Sequence, residues 1–417
     1  VLPVKSADID NVYMGTNGVI YETNKVYPPD DYISVYGPVL LSANDAAVSN
    51  KTKILKWAIV QPANDFRLYL NSLVSKYSFF VPTDEFFKEY IDPIAIGKDV
   101  PGALKFWYNT KTNAVNATVY KYDKVTHALL DSVATITSST YLANRLLDLL
   151  NMHIVVGGVE TGKNYYLTKG NVAIKIEGSG TNMKIQAGGN MTRNEQVNVN
   201  KVYEQSNGNT YFIDKPIQTP VNSVYKVLSE TPEFSSFFAL MTGFPATGTS
   251  VMFLNKTNYF GVDFNVKFFN TFNYTVYVPT NAAIDQAIEN GIIQPWESRG
   301  AIVGINDITD ATVKAAAITK LERFIRYHFQ DNSVFVDNQS VNRVYQSATM
   351  KLDNTVTHFN TFKNKYYKIG VIGSNGSLTL TTESNKTANV VTSNNLYNIM
   401  TRDFVFSNKP STFKNVD

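Results

Sequence analysis

The feature that most constrains this chain is a phrase it contains twice. Residues Ser78-Phe79-Phe80-Val81-Pro82-Thr83-Asp84-Glu85-Phe86-Phe87 return as Tyr274-Thr275-Val276-Tyr277-Val278-Pro279-Thr280-Asn281-Ala282-Ala283-Ile284. Each time an apolar strand runs through Val-Pro-Thr into an acidic or amide residue. A duplicated phrase signals a duplicated supersecondary unit, so the 417 residues read as a tandem of one design. The chemistry of the phrase is local. Proline cannot donate to a ladder, so the strand ends there, and the hydroxyl of Thr83 or Thr280 can cap a helix starting immediately behind it. Amphipathic helices are expected before each corner, over residues 55–73 and 225–241, and shorter ones after it, over 86–91 and 284–293.

A second shared phrase follows each corner. Arg145-Leu146-Leu147-Asp148-Leu149-Leu150-Asn151-Met152-His153-Ile154-Val155-Val156 is matched by Glu322-Arg323-Phe324-Ile325-Arg326-Tyr327-His328-Phe329. An apolar helical face ends in a histidine, and an extended segment begins. Turn-rich strands come next, over 165–186 and 366–382, broken by Gly178-Ser179-Gly180 and Gly373-Ser374-Asn375-Gly376, and they read as hairpins. Alternating strands, 209–216 and more loosely 401–410, close the units.

This order of helices, Val-Pro-Thr strand, helix ending in Tyr-His and closing strands resembles the fasciclin domain, a family of extracellular adhesion modules. The family is known by a TVFAPT-like strand, a Tyr-His motif and a closing strand of the type NGVIHVIDxVL. The resemblance covers most of the chain. It implies an α+β fold of two tandem domains, each a wedge-shaped β-sandwich with helices packed along one side, over residues 34–218 and 219–417. Residues 1–33 look like the closing strands of a preceding unit, or an N-terminal extension, because Asn17-Gly18-Val19-Ile20-Tyr21 again matches the closing strand. An isolated strand pair is marginal in water, so this one is expected to pack against the first domain.

Composition sets the setting. With 44% hydrophobic and 13% aromatic residues, each unit can bury a core without staples. The absence of cysteine fits a bacterial surface protein, or a cytosolic one, better than a disulfide-stapled extracellular module. A net charge of +3, spread along the chain, gives no stripe for nucleic acid. No apolar run reaches the roughly 20 residues of a membrane helix, so attachment to an outer membrane would come through a lipid anchor upstream of this chain.

The chain is not expected to be an enzyme, and no catalytic residue, cofactor site or metal site is assigned. His127, His153, His328 and His358 fall singly, without metal-ligand spacing, and no nucleophile elbow or phosphate-cradling loop is present. The resemblance implies that the Tyr-His motif is adhesive, which points to Tyr327 and His328, with His153 following Met152 in the first unit. The physical alternative is that each histidine bonds orphan carbonyls at a helix end. An insertion from Trp107 to His127 reads as an extra hairpin, and the second unit carries extra sequence over 244–272. Exposed aromatics in either would be contact points. The expected function is non-enzymatic cell-surface adhesion or binding to a matrix or surface protein. The alternatives are a carbohydrate-binding or glycan-uptake accessory, and a plain spacer.

Overall fold

The computed structural model describes residues 4–44, 52–62, 66–87, 90–91, 102–123, 126–160, 162–219, 224–243, 254–256, 264–266, 274–337, 340–351, 366–394 and 399–402. The closing strand expected over 401–410, most of the 244–272 segment and His358 fall wholly or largely outside them.

The strands in chain order are β1 Ile9–Gly15, β2 Gly18–Thr23, β3 Tyr77–Pro82, β4 Tyr90–Ile91, β5 Gly102–Asn109, β6 Ala114–Tyr122, β7 Leu129–Ile136, β8 Ile154–Val156, β9 Tyr165–Leu167, β10 Ala173–Glu177 and β11 Lys184–Ala187. There follow β12 Val197–Gln205, β13 Gly208–Ile213, β14 Leu254–Lys256, β15 Phe264–Val266, β16 Tyr274–Pro279, β17 Phe329–Asp331, β18 Val341–Met350, β19 Tyr366–Ser374, β20 Ser377–Thr382, β21 Thr387–Asn394 and β22 Ile399–Arg402.

The duplication read from sequence is a duplication of topology. In the first half the main sheet runs β8-β3-β13-β12-β11-β10-β9, and in the second the same order recurs as β17-β16-β22-β21-β20-β19-β18, closed into a barrel by a single β17–β18 pair, Gln330 opposite Ser347. The Val-Pro-Thr strand lies between two neighbours in both. It pairs antiparallel with the strand after the histidine and parallel with the closing strand, Phe80 opposite Tyr211 in the first unit and Tyr277 opposite Met400 in the second. All six residues of β3 are buried, as a strand covered on both faces requires. The mixed sheets and their helices make the fold α+β.

Helices share an apolar cluster with strands in each unit. Ser139–Met152 starts at Ser138, whose side chain accepts the Tyr141 N–H, and buries Leu142, Leu146, Leu149 and Leu150. Ala311–Tyr327 starts at Asp310, which accepts the N–H groups of Thr312 and Val313 at 2.8 and 2.9 Å, and buries Leu321, Phe324 and Ile325. Burying each such leucine fully stabilises the fold by roughly 1.5–3 kcal/mol. Three sizeable apolar clusters result, two within residues 35–217 and one within 228–388.

The structure corrects several local expectations. The helix expected over 55–73 is two, Lys53–Ile59 and Phe66–Leu70, separated by Gln61-Pro62; the one expected over 225–241 is also two, Val224–Glu230 and Ser235–Thr242, separated at Thr231-Pro232. Proline breaks both, by excluding the helical conformation of the residue before it. The helix expected over 86–91 does not form. The Thr83 carbonyl instead accepts the N–H groups of Phe86 and Phe87 in a turn, and Tyr90–Ile91 joins the sheet β4-β5-β6-β7. Phe87 and Tyr90 are drawn there by Phe106, at ring-centroid distances of 5.6 and 6.2 Å. The extra hairpin expected in the insertion forms as β5–β6, and β4 and β7 extend it into a four-stranded sheet. In the second unit the corner does start a helix, Asn281–Glu289, capped by Thr280 Oγ1 on the Ala283 N–H at 3.2 Å. Finally, the β1–β2 hairpin forms but adds no residue to any apolar cluster; its side chains from Asp10 to Glu22 are exposed, contrary to the packing expected of it.

Candidate functional site

The residue after Val-Pro-Thr has the same task in both units, which is to hold the start of the helix that precedes the strand. Asp84 accepts the N–H groups of Lys53 and Ile54 at 2.9 and 3.0 Å. Asn281 accepts the Ser236 N–H at 3.0 Å and donates to the Pro232 carbonyl and Ser235 Oγ. Both thereby satisfy orphan donors at a helix N-terminus. Burial pushes the Asp84 carboxyl up to about 6, against the opposing pull of the Ile54 and Lys53 N–H groups. A carboxyl held above its unfolded value stabilises the fold while protonated, so this contribution is complete below about pH 4 and lost as pH rises through about 6. An amide, as the second unit uses, titrates nothing. The difference in stability between the wild type and Asp84→Asn is therefore expected to grow in the variant's favour by about 2 kcal/mol from pH 4 to 6.5, read by chemical denaturation across that range.

The two histidines also share one geometry. His153 and His328 are the C-caps of the helices Ser139–Met152 and Ala311–Tyr327, and both are fully buried. Each sets its Nδ1 2.7 Å from the carbonyl four residues earlier, Leu149 or Phe324. Their own carbonyls accept the N–H of the adjacent Val-Pro-Thr strand, from Phe80 and Tyr277, at 2.8 Å. His153 Nε2 accepts the Ile217 N–H at 2.9 Å, which fixes the neutral ring with its proton on Nδ1. Burial pulls its pKa down to about 4. The His328 ring packs against Phe237 and Phe324, with centroids 5.4 and 4.7 Å away. Tyr327 is 1% exposed, and its hydroxyl donates to the Lys368 carbonyl at 3.3 Å. The structure places all three residues inside the units, each clasping a helix end or a strand.

A concave surface lies elsewhere, where the two units touch. A cleft of about 630 Å³ is lined by Lys163, Tyr165, Phe335, Asp337, Asn342, Arg343 and Tyr345, among others from both units. Asp337 anchors it by accepting the Asn164 N–H at 3.1 and 3.2 Å and the Tyr165 N–H at 3.2 Å. The Tyr165 ring stacks on Phe335 at 5.6 Å, with planes 9° apart. Nothing local marks these residues in the sequence: Asn164 and Asp337 are 173 positions apart, and only the docking of two repeats brings them together. Among the described residues no three His, Asp or Glu side chains gather as a metal site, and no helix is long and apolar enough to cross a membrane.

No family model and no curated protein matches the chain. Among solved structures it is similar to a FAS1 domain pair from the insect cell adhesion molecule fasciclin I, at 12% identity over 92% of this chain and 99% of that one, with a TM-score of 0.23. So loose a superposition transfers no residue role. The repeated corner, the paired histidine caps and the common strand order are features of this chain itself.

Proposed function

We propose that the chain is a non-enzymatic binding protein of the cell surface, built of tandem fasciclin-like wedges and held outside the membrane by an anchor beyond these residues. It captures a matrix or surface protein in the cleft between its units. The observation that carries the reading is the composition of that cleft. It is built from both copies, and it sets Lys163 and Arg343 beside the stacked Tyr165–Phe335 pair and Tyr345. Arginine and tyrosine are the side chains that most often anchor a protein partner. A site that exists only when two units dock also gives the duplication a use. A glycan is the second reading, favoured by ring faces lying next to the hydrogen-bonding groups of Asp337, Asn342 and Ser340. Sugars stack on such faces while their hydroxyls pair alongside.

The test is an array of glycans and matrix proteins probed with the intact chain and with Arg343→Ala and Tyr345→Ala. Binding that falls at least about tenfold in either variant, some 1.4 kcal/mol, with the melting temperature unchanged, supports the cleft; the class of spot that lights up decides between protein and glycan. Silence of the intact chain, or binding that both variants retain, overturns it.

A further inference from the structure

The exposed β1–β2 hairpin repeats the closing hairpin of the first unit, β12–β13, in register and at six identical positions. Val12, Tyr13, Asn17, Gly18, Tyr21 and Lys25 align at one constant offset with Val202, Tyr203, Asn207, Gly208, Tyr211 and Lys215. The registers coincide. Val12 faces Tyr21 as Val202 faces Tyr211, and Gly15 faces Gly18 as Gln205 faces Gly208. Each ladder shifts at the same place, between Ile9 and Asn11 and between Val199 and Lys201. Below the shift the Asn24 N–H bonds the Asp8 carbonyl just as the Asp214 N–H bonds that of Asn198.

In the first unit the aligned residues are occupied. β13 holds β3 along its outer edge in parallel register, Gly208 to Ile213 against Tyr77 to Pro82. A Cβ on Gly208 would lie 1.9 Å from the Tyr77 carbonyl oxygen, so glycine is what lets that strand approach. Tyr211 stacks on Phe80 of the same strand at 5.2 Å. Asn207 accepts the Val35 N–H and donates to the carbonyls of Leu70 and Ser72. In β1–β2 the same residues face solvent. Nothing lies within 4 Å of a Cβ on Gly18, Asn17 is exposed, and Ile20 and Tyr21 are 66% and 55% exposed. Among the described residues the hairpin is a two-stranded sheet, with no strand paired to the outer edge of β2.

We infer that the outer edge of β2 is an acceptor for a parallel apolar strand of the Val-Pro-Thr type, supplied by a further unit of this same design, with Gly18 admitting its start and Tyr21 stacking on its aromatic residue. The occupant is not one of the two such strands in this chain, because β3 already lies between β8 and β13 and β16 between β17 and β22. Strand addition of this kind draws its affinity from main-chain bonds and its selectivity from the side chains beside them. The inference is independent of the cleft.

The probe is a synthetic peptide of residues 76–83, Lys-Tyr-Ser-Phe-Phe-Val-Pro-Thr, flanked by lysines for solubility and added to the full chain. Saturable binding is expected, with amide exchange along β2 slowed at least about tenfold. The effect is expected to vanish in Gly18→Ala and Tyr21→Ser, whose hairpins stay protected at the β1–β2 bonds as in the wild type. Absence of protection overturns the inference, as does protection that both variants keep. A dimer of the chain whose β2 edge is protected regardless of peptide also overturns it, by making a second copy the occupant.

Discussion

Replacing His153 by alanine is expected to cost the first unit about 3–5 kcal/mol, enough to unfold it at moderate temperature. The change strands the Leu149 carbonyl and the Ile217 N–H, which the ring pairs at 2.7 and 2.9 Å, and each buried polar group left unpaired costs roughly 1–3 kcal/mol. The lost ring adds a cavity in a core without slack. His328→Ala removes the bond to Phe324 and two ring contacts, at a cost of about 2–4 kcal/mol. Denaturant titration of both variants, with one probe in each unit, checks this. Binding lost from Tyr327→Ala, His328→Ala with stability intact would instead restore the adhesive role implied by the resemblance.

His153 also makes the first unit acid-sensitive. A histidine whose pKa is depressed to about 4 stabilises the fold above its unfolded value near 6.5, and that contribution is lost as pH falls through about 4. Asp84 acts in the opposite direction over nearly the same window. The two contributions oppose each other between pH 4 and 6.5, and Asp84→Asn is expected to expose the slope set by His153.

The parts of the fold legible in sequence were those fixed by chemistry within a few residues. Proline stops β3 and β16, Thr280 caps the helix behind it, and a histidine closes each long helix because the last carbonyls need a donor. What was not legible depends on distant partners. Phe86–Ile91 has an apolar pattern that suits a helix, yet Phe106 draws Phe87 and Tyr90 into a sheet. Asn207 sits in the turn between β12 and β13, and only the folded chain brings its amide to Val35, Leu70 and Ser72. The cleft was invisible for the same reason, since a repeat announces that units exist but not which faces meet.

The Asn-Gly pairs at 17–18 and 207–208 place the same two residues in different surroundings. Gly208→Ala is expected to cost the first unit more than about 3 kcal/mol. The new Cβ would meet the Tyr77 carbonyl oxygen at 1.9 Å, and the backbone there has φ near +131°, a conformation open in practice only to glycine. The strand cannot retreat, because β3 is held between β8 and β13 and fully buried. Gly18→Ala, at the aligned position of the free hairpin, meets nothing within 4 Å and is expected to change stability by no more than about 0.5 kcal/mol. Melting curves of the two variants measure the difference directly. A comparable loss at both positions would mean that the turn itself demands glycine. A loss confined to Gly208 is the expected result, because Gly208 alone of the two combines a strand docked at its Cβ position with a backbone in the glycine-only region.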